Sequence, residues 1–179
     1  EAAWHCADPG MQFDTTINKW HTAPNTGRIN GSNPCGEYMH LDDSACNLAS
    51  LNLLTFLNPP AGGGEFDYKS FKKAVDIFII AQDATVDNSS YPTPKIEKTA
   101  RDYRELGLGF ANIGALMMNL GLPYDSDEAR AYAGAISSIM TGEAYNMSAR
   151  IAGAVGPFAG YAKNEEPMLG VIKMHGQEA

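Results

Sequence analysis

Apolar residues recur at helical spacing most clearly in the middle of the chain, where Phe71, Ala74, Val75, Phe78, Ile79 and Val86 fall on one stripe. That pattern predicts a helix from about Asp67 to Asp87. Thr93 followed by Pro94 is a helix opening, because the hydroxyl can accept from an orphan amide and proline suits the first helical position. The run Leu106 to Leu120 is small and apolar almost all round, with Gly107, Gly109, Gly114 and Ala115, and reads as a buried helix ended by Gly121 and Pro123. Asp125 with Glu128 resembles a capping box for a further helix reaching Ile151 or Ala152, ahead of Gly153 and Gly156-Pro157. Met168 to Met174 predicts one more.

The first third is patterned differently. Residues 1–8 carry Trp4 in what reads as a last turn or two of helix, stopped by Asp8-Pro9-Gly10. Phe13 to Trp20 mixes polar and apolar residues, and 22–27 is a loop by every local signal. Pro34 has no amide proton, so its surroundings read as a loop tip or sheet edge. Ala45 to Phe56 half fits both periods through Leu48, Leu51 and Leu53, which predicts a short strand or turn of helix. Two prolines and three glycines between Asn58 and Gly64 read as a flexible excursion. The expected organisation is a loop-rich part over 1–57, a Gly/Pro linker over 58–65 and a mainly helical part over 66–179. A helical domain with a polar cap and a segment of an α/β barrel both fit.

Composition narrows the function. A length of 179 residues suits one domain or a piece of a larger one, and 44% apolar content is ordinary. The formal net charge of −8 argues against a surface that tracks a nucleic-acid backbone, although a pocket for a single nucleotide stays open. Three cysteines make a poor disulfide framework and fit a reducing compartment. No signal peptide pattern opens the chain and no apolar run reaches membrane-spanning length, so the expectation is a cytoplasmic protein. The opening Glu1-Ala2-Ala3 reads as the start of a piece rather than of a whole protein.

Candidate chemistry concentrates in Asn33-Pro34-Cys35-Gly36-Glu37. An extended backbone there would point amide, thiol and carboxylate the same way. Cys46 follows within a polar stretch short enough to return to the same place. For each residue alone, an ordinary buried thiol or surface acid is the plain alternative. Zinc binding by Cys6, Cys35, Cys46, His5, His21 and His40 lacks the close Cys-x-x-Cys spacing of structural sites. A Cys35 nucleophile activated by His21 or His40 is chemically possible, but nothing in the spacing brings them together. Gly107-Leu108-Gly109 lacks the third glycine of a dinucleotide fingerprint, with Asn112 in its place. Met117 and Met118 read as core, and Lys95, Lys98, Arg101 and Arg104 as a solvated helix face.

The order of motifs resembles the large catalytic subunit of ribonucleotide reductases, most closely the adenosylcobalamin-dependent class II enzymes. The likeness runs through Asp8-Pro9-Gly10 to Asn18, Trp20-His21-Thr22, Pro24 to Asn30, Asn33 to Glu37 and Leu41 to Leu53. It resumes at Gly107-Leu108-Gly109 and Gly121 to Asp125, so it covers essentially the whole chain. The resemblance implies a central fragment of a ten-stranded α/β barrel. Cys35 would become a thiyl radical at a loop tip and remove the 3′ hydrogen of a ribonucleotide. Glu37 would be the base for the 3′ hydroxyl, and Asn33 would hold the substrate hydroxyls. Cys46 would be half of a redox-active disulfide whose partner lies outside this chain, Cys6 being set aside as a neighbour of the Asp8-Pro9-Gly10 block. It implies adenosylcobalamin as cofactor, thioredoxin or a glutaredoxin-like donor as reductant, allosteric deoxynucleotides acting through regions outside the chain, and a parent that is a homodimer. A class I large chain, which receives its radical from a second subunit, shares the Asn-x-Cys-x-Glu core, and a scaffold without turnover is the non-enzyme alternative.

Overall fold

The computed structural model describes residues 1–59 and 64–179. The chain mixes helix and strand: α1 Ala2–Cys6, α2 Asp14–Lys19, β1 Asn47–Asn52, a 3-10 turn Leu53–Phe56, β2 Leu57–Asn58, β3 Glu65–Phe66, α3 Tyr68–Asn88, α4 Pro94–Tyr103, β4 Leu106–Ala111, α5 Ile113–Asn119, α6 Asp127–Val155 and α7 Tyr161–Glu178. The two longer strands, β1 and β4, pair in parallel, with Asn47 opposite Leu106 and Asn52 opposite Ala111. Parallel strands need a crossover, and α3 and α4 supply it. The result is a βαβ unit.

α3 forms where the apolar stripe predicts it. Asp67 caps it, its Oδ1 accepting from Ser70 N at 3.0 Å. Phe71, Val75, Ile79 and Val86 are buried, whereas Phe78 is exposed at the edge of the stripe. The face also carries Gln82, which is polar yet buried. Its Nε2 donates to Asn47 O at 3.1 Å and to Gly107 O at 2.9 Å, and Asn47 Nδ2 donates back to Gln82 O at 3.0 Å. One side chain thereby ties the helix to both strands. The core below joins Leu51, Leu53 and Leu57 to Phe66, Phe71, Val75, Leu116, Met117 and Ile136. The rings of Phe56 and Phe66 pack on Phe71 at 5.2 and 5.4 Å between centroids, and complete burial of Phe71 contributes about 1.5–3 kcal/mol.

The single helix expected over Leu106–Leu120 is instead a strand and a short helix. Leu106, Leu108 and Phe110 alternate with Gly107, Gly109 and Ala111, a period of two. Asn112 breaks the chain between them at φ 68 and starts α5 from a left-handed conformation. The expectation that both methionines are core holds for Met117 and fails for Met118, which is 71% exposed on the far side of α5. Thr93 caps α4 as expected, its Oγ1 accepting from Ile96 N at 3.2 Å. The opening of α6 is one residue on from the expected box: Ser126 Oγ accepts from Ala129 N at 3.1 Å. α6 then continues to Val155.

α7 is longer than the expected Met168–Met174 at both ends, and Pro167 lies inside it. Proline has no amide for the carbonyl four residues back. That carbonyl, Lys163 O, accepts instead from Asn25 Nδ2 at 2.7 Å. Next to it, wholly buried Asn164 accepts from Asn25 N at 3.0 Å and donates to Thr26 Oγ1 at 2.8 Å and Gly160 O at 2.9 Å. The 22–27 loop is thus clamped to α7. The flanks of the expected Gly/Pro linker pair as the antiparallel β2 and β3, Leu57 opposite Phe66, and 60–63 lie outside the described residues. No helix among the described residues is long and apolar enough to cross a membrane.

Candidate active site

Residues 33–37 are not extended. Gly36 N donates to Asn33 O at 3.1 Å, closing a turn with Pro34 and Cys35 at its two central positions. Pro34 fits because its fixed φ suits the first central position. Cys35 keeps a negative φ, and Gly36 takes φ 81 where the chain leaves the turn. Asn33 braces the loop from its side chain: Oδ1 accepts from Gly36 N at 3.1 Å and Tyr38 N at 3.0 Å. Among the described residues its Nδ2 makes no hydrogen bond. Cys35 is an exposed thiol at the tip, as the proline suggested, and Glu37 is exposed beside it.

The next stretch returns the chain to a strand. Asp42 accepts from Asn30 Nδ2 at 2.8 Å, and Asp43 pairs with Lys95 Nζ at 2.5 Å, anchoring the loop to α4. Tyr38 Oη donates to Ser44 Oγ at 2.8 Å, and Ser44 Oγ donates to Leu41 O. Cys46 follows, half-buried and immediately before β1. Burial pushes its thiol up to about 11, and the charges of Glu105 and Glu37 push the same way. Glu37 and Cys46, on the turn and at the start of the strand, are therefore electrostatic neighbours. Burial likewise raises Tyr38, with Glu105 adding to it.

The remaining candidates go elsewhere. His21 is buried, its Nε2 2.9 Å from Gly27 O and its Nδ1 accepting from Ala23 N, and burial lowers its pKa. His40 lies edge-on to His21 with 5.7 Å between ring centroids, and its Nδ1 is 2.8 Å from Glu105 Oε1. His21 is held by the 23–27 loop and His40 faces Glu105, and among the described residues neither imidazole hydrogen-bonds Cys35. Cys6 is an exposed thiol donating to Ala2 O at 3.2 Å within α1. No three His, Cys, Asp or Glu side chains among the described residues gather as a metal site.

The basic run is only partly a solvated face. Arg101 reaches Glu97, and Lys98 reaches Asp102 at 2.5 Å, both exposed i,i+4 pairs of modest worth. Arg104 is different. It ends α4 at φ 53, is 21% exposed, and clamps Asp83 at 2.8 Å and Asp87 at 2.8 Å on α3, which fixes where β4 begins.

Glu105, Tyr38 and Gly107 were not legible as site residues. Glu105 precedes the run expected to be a helix from Leu106; the alternation of Leu106, Leu108 and Phe110 is the signal that would have placed it at the head of a strand beside Cys46.

The structure joins a parallel βαβ unit to a preceding cysteine-bearing turn with a neighbouring acid and to a second thiol just before β1. The chain belongs to the ribonucleotide reductase family: the model described as ribonucleotide reductase, barrel domain, matches residues 1–177. It is 55% identical over 179 residues to the vitamin B12-dependent ribonucleotide reductase of Streptomyces coelicolor, covering 99% of this chain and 18% of that protein. The enzyme of the same name from Rhodopirellula baltica is 54% identical over 175 residues, 98% of this chain and 16% of the relative. A vitamin B12-dependent ribonucleoside-diphosphate reductase of Mycobacterium tuberculosis is 35% identical over 161 residues, 90% and 23%. The chain therefore spans less than a quarter of the length of these relatives.

Proposed function

We propose that this chain is the central part of the catalytic barrel of an adenosylcobalamin-dependent ribonucleotide reductase, which converts ribonucleotides to 2′-deoxyribonucleotides by a thiyl-radical route. The observation that carries the reading is the turn: an exposed sulfur at its tip, an acid two residues on, and a braced asparagine whose amide donor has no partner among the described residues. The βαβ unit is the element that a ten-stranded α/β barrel repeats. Relatives named for vitamin B12 favour class II over a class I large chain.

Cys35 accepts the radical and removes the 3′ hydrogen atom from the ribose. Its exposure fits a cofactor that approaches from outside this chain, and when bound that cofactor supplies a radical by homolysis of its carbon–cobalt bond. Glu37 takes the proton of the 3′ hydroxyl, which helps the neighbouring radical carbon expel the 2′ hydroxyl, and a proton from the redox thiols completes the departing water. Asn33 Nδ2 donates to the substrate hydroxyls while Oδ1 holds the loop. Cys46, with a partner cysteine outside this chain, supplies two electrons and closes to a disulfide. Thioredoxin or a glutaredoxin-like dithiol reopens it by exchange. Allosteric deoxynucleotides act through other regions of a parent reductase that is a homodimer in the cytoplasm.

The test is made on the full-length reductase supplied with adenosylcobalamin and ribonucleotide. Substrate-dependent formation of cob(II)alamin and a coupled sulfur radical, read by electron paramagnetic resonance, is expected. A signal that appears equally without cobalamin overturns the class II reading, and inert thiols with no saturable nucleotide binding would leave only a scaffold.

A further inference from the structure

Glu105 stands out among the charged groups. It is the last residue before β4, as Cys46 is the last before β1, and the register Asn47 to Leu106 makes the two neighbours on the next rung. Its side chain is 6% exposed, yet neither carboxylate oxygen has a hydrogen-bond partner among the described residues. His40 Nδ1 lies 2.8 Å away but out of line for a hydrogen bond. A carboxylate taken from water without donors is costly, so its presence calls for an explanation.

Two residues further along the same face of β4 is Gly107. A Cβ there would lie 2.9 Å from Cys46 Sγ and 2.4 Å from Leu48 Cδ2. The sulfur of Cys46 therefore sits over the bare backbone of β4, next to the carboxylate. The groups around that sulfur are Glu37 and Tyr38 from the turn loop, His40 beyond them, and Glu105 from β4. Glu105, His40 and Tyr38 also line an open cleft of about 1120 Å³.

We propose that Glu105 carries the proton in the re-reduction of the disulfide that includes Cys46, with His40 steering its carboxylate and Gly107 leaving the sulfur its seat. The inference rests on the reading of Cys46 as half of the redox pair. An external dithiol loses one proton to Glu105 and attacks as thiolate. The S–S bond breaks, a mixed disulfide forms, and the Cys46 sulfur leaves with the electron pair and takes the proton from Glu105. The donor's second thiol then closes the donor disulfide and frees the pair's other sulfur with its own proton. Two electrons and two protons pass from donor to pair, and Glu105 ends unchanged.

The experiment uses full-length reductase carrying Glu105→Gln, Glu105→Asp or Cys46→Ser. With prereduced enzyme and no external dithiol, Glu105→Gln is expected to give the same first-turnover yield of deoxynucleotide as the parent, which also reports an intact fold. With a dithiol donor, its steady-state kcat is expected to fall about 100-fold, the range of one acid–base group, and Glu105→Asp to recover part of it. Alkylation of Cys46 by iodoacetamide is expected to move to lower pH in Glu105→Gln, since a negative charge beside the thiol is gone. Parent-like kcat and an unmoved alkylation profile would overturn the proposal while Cys46→Ser still blocks multiple turnovers. Normal steady turnover in Cys46→Ser would overturn the redox reading itself.

Discussion

Asn33 has two separable duties, and two substitutions divide them. Its Oδ1 accepts from Gly36 N and Tyr38 N, whereas Nδ2 is the donor assigned to the substrate. Asn33→Ala removes both functions. Gly36 N keeps the backbone carbonyl of residue 33 as a second acceptor, so the loss falls mainly on Tyr38 N. One hydrogen bond and part of another amount to about 1–2 kcal/mol, or about 5- to 30-fold faster local opening at Tyr38 with a smaller change at Gly36. Asn33→Asp keeps an oxygen in place, and an ionised acceptor makes the stronger bond, so the loop stays closed. It lacks the donor, and kcat/KM is expected to fall at least about 10-fold, the worth of a lost hydrogen bond to substrate. Hydrogen exchange by mass spectrometry on peptides covering 33–38 of the full-length reductase, beside steady-state kinetics, reads both duties. Exchange at Tyr38 that is equal in the alanine and aspartate variants would refute the brace. Unchanged kcat/KM in Asn33→Asp would refute the donor.

Two further outcomes are expected. Cys46, titrating near about 11, is mostly thiol at neutral pH, so its alkylation is expected to rise about tenfold per pH unit from 7 to 10 and to lag an exposed thiol throughout. Because its folded value is raised, the stability tied to the neutral thiol is present below the ordinary cysteine range and is lost as pH climbs towards 11; alkylation that saturates near 9 would contradict the burial. Asn164→Ala removes three hydrogen bonds at a wholly buried site, at a cost of about 2–4 kcal/mol, so the Asn25–Thr26 amides are expected to exchange about 30-fold faster or more; protection equal to the parent would refute the clamp on α7.

Local physics made some of this architecture readable and left other parts hidden. α3 and α4 were legible because an apolar stripe and a Thr-Pro opening are properties of neighbours in sequence. β4 was hidden by its glycines: Gly107 and Gly109 lower strand propensity, and the reason for Gly107 is the Cys46 sulfur and the Leu48 side chain that crowd it from a segment remote in sequence. The start of α7 was hidden by Pro167, whose lost hydrogen bond is replaced by Asn25 from the far end of the chain. In the site, residue types and spacing pointed to Cys35, Glu37, Asn33 and Cys46, but the imagined extended backbone is a turn, and the side chain that braces it is one of the candidates. Glu105 became visible only through the parallel register, because nothing within its own segment distinguishes it from a surface acid.

The central claim is that the sulfur at the tip of the 33–36 turn abstracts hydrogen from ribose. Exchange of isotope from the 3′ position of a labelled ribonucleotide, measured with the full-length reductase and adenosylcobalamin, tests it most directly. The account expects exchange in the parent and none above background in Cys35→Ser; exchange in that variant at the parent's rate would contradict it.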